Sequence, residues 1–325
     1  MDDEQLEALL RSSAPDAPSR PLTAQQRALM ERIMSEPVRR NRRTMRRVGL
    51  TLAVPLATVA VLVIVLVLQP FRVQPVAAYG PRPLLLHPTD QTPQQVIGTA
   101  RTLLSAETFP SESLRQADTT SWSLAVNDAG EPEQAVEIEP TVTTLRWAAD
   151  LSGSQRVVAG TPFYADGTSG MVRDAPRPGT VIDERTFSPG EYPAAVSDAD
   201  TYGPVQLRAL LHEQAPDRTR PGDAFLAVLG LMGEWTLTPA QHAILLGELL
   251  RYDGLTAAGT ATDRLGRVVV VLQGETSAPG QTASLLISAT TGHIVGIEDV
   301  VTDGISPLRV PAGTVAFYIL WKDSE

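Results

Sequence analysis

Cysteine is absent from all 325 residues. That removes disulfides, thiolate nucleophiles and thiolate-bound zinc together, so any folded part must stand on its core alone. Lysine occurs once, at Lys322, against 26 arginines, a usage that reflects coding bias more than mechanism. Aromatic residues make up only 5% of the chain. The phosphate-cradling GxxxxGK[ST] and GxGxxG patterns and the HExxH zinc pair are all missing. GTSG at 167–170 is not a nucleophile elbow, because its flanks read as turn where a strand and a helix are required. Asp198, Asp200 and Gly203 suggest a calcium loop, but Tyr202 and Ala209 fall where it needs ligands. No catalytic residue, cofactor or metal site is assigned. His242, inside a capped helical pattern, reads as a satisfied structural group.

What the chain does have is one long apolar run. Gly49 to Leu68 is 20 residues without a charge, and as a helix at about 1.5 Å per residue it reaches roughly 30 Å, the depth of a bilayer's hydrocarbon core. Only Thr51 and Thr58 interrupt its apolar surface, and Pro55 falls near its start, where a lost hydrogen bond is easier to satisfy. A cleaved secretion signal is the competing reading, since Val76, Ala77 and Ala78 resemble a cleavage site. The long preceding segment and the length of the run favour an anchor.

Charge sets the orientation. Arg39, Arg40, Arg42, Arg43, Arg46 and Arg47 precede the run, while the twenty residues after it hold only Arg72 and Arg82, which places the N-terminus inside and the remainder outside the cell membrane. Residues 1–47 carry net +3, leaving −13 of the total −10 on the other side of the span. A basic inner stem suits an anionic membrane face, and an acidic outer domain argues against nucleic acid as its partner.

The expected organisation is therefore a cytoplasmic segment over 1–47, a transmembrane helix over 48–68, an extended proline-rich tether over 69–91 and an extracytoplasmic domain over 92–325. A candidate subdomain boundary lies near residue 200. Two short helices in the inner segment present Leu6, Leu9 and Leu10, and Met30, Ile33 and Met34, apolar clusters that short helices cannot hide from each other. They are candidate partner-binding residues.

In the outer part Thr92, Pro93 and Gln95 spell a capped helix start, and Thr238 with Pro239 opens another that Gly254 ends. Helical periodicity also marks Pro204 to Glu213 and Gly222 to Met232. From Thr120 to about Phe187, and again from Leu255 to Trp321, alternation and turn signals indicate antiparallel strands. The order helix, strands, helices, strands predicts an α+β fold, a curved antiparallel sheet packed with helices. Trp122, Trp147, Val157 and Phe187 read as sheet core, and Trp122, Trp147 and Phe187 are also candidates for lining a ligand groove.

Three stretches together carry a family resemblance: the arginine-rich N-terminus before one span, TPQQVIGTARTLLSAE leading to a Trp-containing strand, and LLGELLRYDGLTAAGTATDRLGRVVVVL followed by LLISATTGHIVG. They resemble a family of largely uncharacterised actinobacterial single-pass membrane proteins whose genes often lie beside extracytoplasmic-function sigma factors. Leu249, Leu250, Gly254, Asp263, Gly266, Arg267, Thr291 and Gly292 fit its pattern, whereas Asp253 and Ala289 stand where it usually has proline and aspartate. The resemblance implies a fold and a genomic context with no active site. The fold is also similar to periplasmic lipoprotein carriers and lipid-sensing regulatory domains, which implies a concave face able to hold an acyl chain.

Two functional classes follow. One is an envelope sensor whose inner helices bind a cytoplasmic partner, a sigma factor first, while the outer domain binds a lipid or peptide. The other is a tethered lipid or lipoprotein carrier with no signalling role. An extracytoplasmic hydrolase lacks any recognisable constellation.

Overall fold

The computed structural model describes residues 78–322 apart from 126–131, 136, 168–171 and 173–174. The six arginines, the apolar run and the partner-binding candidates Leu6, Leu9, Leu10, Met30, Ile33 and Met34 lie outside the described residues. Among those described, no helix is long and apolar enough to cross a membrane.

The described chain is α+β. Helix α1 (Pro93–Ala106) is followed by strands β1 (Gln116–Ser123), β2 (Glu137–Ile138), β3 (Thr141–Trp147), β4 (Gly153–Ala159), β5 (Phe163–Tyr164) and β6 (Val181–Phe187). Helices α2 (Pro204–Gln214), α3 (Pro221–Met232) and α4 (Pro239–Leu249) come next. Strands β7 (Thr256–Thr262), β8 (Val268–Glu275), β9 (Gln281–Ser288), β10 (Ile294–Val301) and β11 (Val315–Trp321) complete the order. Nine strands form one large curved antiparallel sheet, ordered β6-β4-β3-β1-β11-β10-β9-β8-β7, and β2 and β5 form a separate pair. The two runs of strands on either side of residue 200 meet where β1 pairs with β11, Trp122 opposite Tyr318. Residues 199–201 form a single 3-10 turn leading toward α2.

The helix starts follow their local chemistry. Thr92 accepts from the Gln95 amide while the Gln95 side chain accepts from the Thr92 amide, and Thr238 and Gln241 repeat the arrangement at α4. Each box satisfies amides that a bare first turn would leave orphaned, and proline at the first position costs nothing there.

All four helices lie to one side. The first turn of α3 abuts β8 so closely that a Cβ on Gly274 would meet Pro221 Cγ at 2.3 Å, which is why this strand carries glycine there. Two sheet tryptophans, Trp147 and Trp321, hold the end of α3 and the residues after it through their indole N–H groups, and Trp235 holds the 192–196 loop in the same way. Trp147 donates to Glu234 O at 2.9 Å, Trp321 to Met232 O at 2.8 Å and Trp235 to Val196 O at 2.8 Å. A buried indole without an acceptor would pay a desolvation cost, so these bonds fix ring position as well as contributing area.

Glu234 is the polar anchor of that side. Only 6% exposed, it accepts from the Tyr192 hydroxyl at 3.3 Å and from the Ala195 and Val196 amides at 2.9 and 3.4 Å. Glu234→Ala leaves these donors without their acceptor and is expected to cost about 2 kcal/mol. Chemical denaturation with an unchanged m-value is the check. A midpoint equal to that of the parent would show that the 192–196 loop does not depend on the carboxylate.

Candidate functional site: a strap on the open face of the sheet

The sheet face away from the helices is apolar along its β7–β11 half. Ala261, Val269, Val271, Leu286, Val295, Val315, Tyr318 and Leu320 form one buried cluster. A sheet face of that kind must be covered. It is covered by residues 79–87, part of the stretch 69–91 expected to be a tether.

These residues run extended and are pinned at successive points. The Ala78 amide donates to Ala135 O at 3.0 Å. Tyr79 packs against the cluster of Leu124, Val301 and Val310. Leu84 and Leu86 sit on the main cluster, and Leu85 between them points outward at 77% exposure. That alternation is the period-two signature of a strand laid on an apolar surface. His87 then exchanges two backbone hydrogen bonds with Thr260, at 2.8 and 2.9 Å, covering part of the outer edge of β7.

Under the strap lies an ionic and aromatic group. Glu298, 3% exposed, accepts from the Leu84 amide at 3.0 Å and is ion-paired with Arg264. The Arg264 guanidinium donates to the Arg82 carbonyl at 2.9 Å and lies over the Tyr318 ring at 4.7 Å, and Trp122 stacks on that ring at 6.5 Å. Burial pushes the Glu298 carboxyl up, and Arg264 and the Leu84 amide only partly offset it. Burial likewise pushes the Tyr318 phenol up. The strap therefore completes the coordination of two buried polar groups as well as covering apolar area, and lifting it would expose both.

Asp299, next to Glu298, points to the opposite, helical side, beside Ala283 and Phe317 in register. It is 4% exposed and its Oδ1 has no hydrogen-bond partner. Burial pushes its carboxyl up to about 7, with Asp223 and Glu298 adding repulsion.

The groove candidates do not converge. Register puts Trp147, Phe187 and Val157 on the helical face, where Trp147 meets Trp235 at 5.1 Å and Tyr192 at 5.3 Å and Phe187 meets Tyr192 at 5.2 Å. Trp122 projects to the strap face. The three line no single surface.

Elsewhere, an open groove of about 740 Å³ runs between α1 and the start of α4, bordered by Arg101, Ser105, Thr108 and Thr238. A cavity of about 40 Å³ lies beside His242, His293 and Trp321. His242 Nδ1 accepts from the Ile294 amide at 3.3 Å, its ring 4.8 Å from that of His293. Burial, then the neighbouring imidazole, holds its pKa well below the usual histidine value. Among the described residues no three His, Asp or Glu side chains are placed to hold a metal ion.

The strap residues Leu84 and Leu86 and their partners Glu298 and Arg264 were not among the sequence candidates. The signal available was GIEDV: two successive carboxylates in an apolar strand must face opposite sides, so at least one had to be buried.

No family model matches the chain, and no curated protein matches it in sequence. Two of the solved structures that the chain matches are MucB complexes, similar at low level. MucB in complex with MucA(peri) is 12% identical over 69% of this chain and 53% of that one, with a TM-score of 0.26. The Pseudomonas aeruginosa MucA/MucB complex is 12% identical over 70% and 55%, with a TM-score of 0.25. The chain spans about half the length of the solved chains it matches, and scores this low do not define a shared fold.

Proposed function

We propose that this chain is a single-pass envelope regulator of the actinobacterial family it resembles. Its outer domain would pass a change of state to the membrane span through the strap, and its inner helices would hold a cytoplasmic partner, with a sigma factor the first candidate. The observation that carries the reading is the docking of residues 78–87. Only nine residues separate Leu68, the last of the apolar run, from Ala78, where the chain is already hydrogen-bonded to the domain. Nine residues span at most about 30 Å. A carrier that collects and delivers cargo gains from a loose tether, whereas a regulator with one span needs a short and structured connection.

The supporting charge pattern is the six arginines from Arg39 to Arg47. In intact protoplasts, external protease is expected to remove an epitope placed after Trp321 and to spare one at residue 2, and the reverse would overturn the orientation. Deleting residues 2–36 while keeping the arginines and the span separates regulator from carrier. The regulator predicts a discrete set of transcripts that change with the deletion, and so does inserting ten Gly/Ser residues between Leu68 and Ala78. Unchanged transcript profiles in both variants would leave the carrier reading.

A further inference from the structure

The two edges of the nine-stranded sheet are treated differently. At one edge, β7 is partly covered by the strap through His87 and Thr260. At the other edge, no described strand pairs with the outer side of β6. Edge strands of this kind are templates for further pairing unless bulges, prolines or same-sign charge discourage it. β6 is a seven-residue strand without proline, its bulge lies at its start, where Ile182 is the extra residue between the β4 partners Val181 and Asp183, and Val181 and Ile182 are 44% and 52% exposed.

We propose that β6 is a self-association edge, pairing antiparallel with β6 of a second copy about a two-fold axis at Glu184. The regular part of the strand, IDERT, is self-complementary in that register. The bulge turns Val181 to the face opposite Phe187, so the pairing starts at Ile182, which falls opposite Thr186 of the second copy. Asp183 falls opposite Arg185, and each pairing occurs twice. Acid directly across from base is a favourable cross-strand combination. Asp183 and Arg185 are already oriented toward one another along the strand, at 2.7 Å, with side chains 36% and 59% exposed, so both reach the surface where the second copy arrives. Glu184 meets its own image at the axis, and Arg156, its register neighbour on β4, flanks it from each side. A parallel pairing would set each charge against itself. A one-residue slip would oppose residues that point to opposite faces, and a two-residue slip would set Asp183 against Asp183 or Arg185 against Arg185. The same arrangement is isologous, so it closes at two copies and leaves the strap-covered β7 edges outermost.

A seven-residue strand pair is smaller than the roughly 1,200 Å² of a standard interface, so exchange is fast and covalent trapping is the suitable readout. The absence of cysteine makes this clean. Directly opposed residues of an antiparallel pair have Cα atoms about 4.5–5.5 Å apart, within the range a disulfide spans. Full-length chain carrying Glu184→Cys, in its native membrane under mild oxidant, is expected to give a disulfide-linked dimer several-fold above the collision level set by Val205→Cys, a cysteine at another exposed site. Arg185→Cys alone is expected to stay at that level, while co-expressed Asp183→Cys and Arg185→Cys chains with different tags should cross-link to each other. Adding Asp183→Arg to Glu184→Cys should reduce the yield several-fold, and adding Arg185→Asp as well should restore it. Equal cross-linking at Glu184 and Val205, or loss without recovery in the double charge swap, would overturn the proposal. The substituted positions are exposed or, at Asp183, half-buried, and an unchanged melting temperature confirms that each variant is folded.

Discussion

Gly259→Ala is expected to detach the strap. Gly259 lies at the bulge of β7 with φ at +135°, a backbone region that residues with a side chain avoid. A Cβ there would sit 2.1 Å from the His87 carbonyl oxygen and 2.7 Å from its carbon. Both are backbone atoms, so no side-chain rotation relieves the clash. Either β7 rebuilds its bulge or residues 84–88 move away. Moving away loses the two His87–Thr260 hydrogen bonds, each about 1 kcal/mol net, and the burial of Leu84 and Leu86, each about 1 kcal/mol for a half-buried leucine. The total is about 4 kcal/mol, with Glu298 and Arg264 opened to water in addition. Thermolysin cleavage ahead of Leu85 or Leu86 should accelerate sharply while the far half of the sheet stays resistant. A melting temperature and cleavage rate equal to those of the parent would show that the strap is not held as described.

Asp299→Asn should stabilise the protein, and only above the acid range. In the native state burial raises this carboxyl to about 7 from 3.8. At pH 3 both native and unfolded forms are protonated, and the site carries no penalty. Between about 4 and 7 the unfolded chain ionises while the native one keeps its proton, so stability falls as pH rises, and above about 7 the loss is complete. Three pKa units correspond to about 4 kcal/mol as an upper bound. Asparagine has the same shape and no charge to desolvate. Its melting temperature should therefore exceed that of the parent at pH 8, by about 2–4 °C for each kcal/mol recovered, and match it near pH 4. Asp223, also raised by burial, contributes a smaller slope that the substitution leaves in place. If parent and variant keep the same difference across the whole range, the Asp299 carboxyl is not the ionising group.

Local chemistry made much of this fold readable. The capping boxes at Thr92 and Thr238 depend on residues three apart, and the strands of the β7–β11 run are bounded by glycine turns at Gly266 and Gly292, so short windows of sequence contain the whole cause. The strand order does not have that property. Nothing near Gln116–Ser123 names Val315–Trp321 as its neighbour, and the candidate boundary near 200 followed from seeing two runs of strands without the pairing that joins them. The strap shows the same limit more sharply. PRPLLLHP reads as a proline-rich linker because proline and exposed backbone are visible locally, but the Leu84 amide finds its acceptor 214 residues away. The groove candidates diverge for a related reason. Trp122, Trp147 and Phe187 each look like lining residues singly, and only the register of β1, β3, β4 and β6 shows that they project from opposite faces.

The joint between β1 and β11 has a consequence for how the protein is made. Strands β1, β3, β4 and β6 leave the ribosome first and can pair among themselves, and β7 to β10 can later do the same, but the edge of each group stays bare until residues 315–321 arrive between them. For that interval the chain carries two half-sheets, each with an unpaired strand facing the other. If the domain crosses the membrane as it is synthesised, β11 is also the last strand to emerge, and it turns two marginal assemblies into one. Loss of those seven residues would therefore split the protein into halves, a far larger effect than shortening its tail.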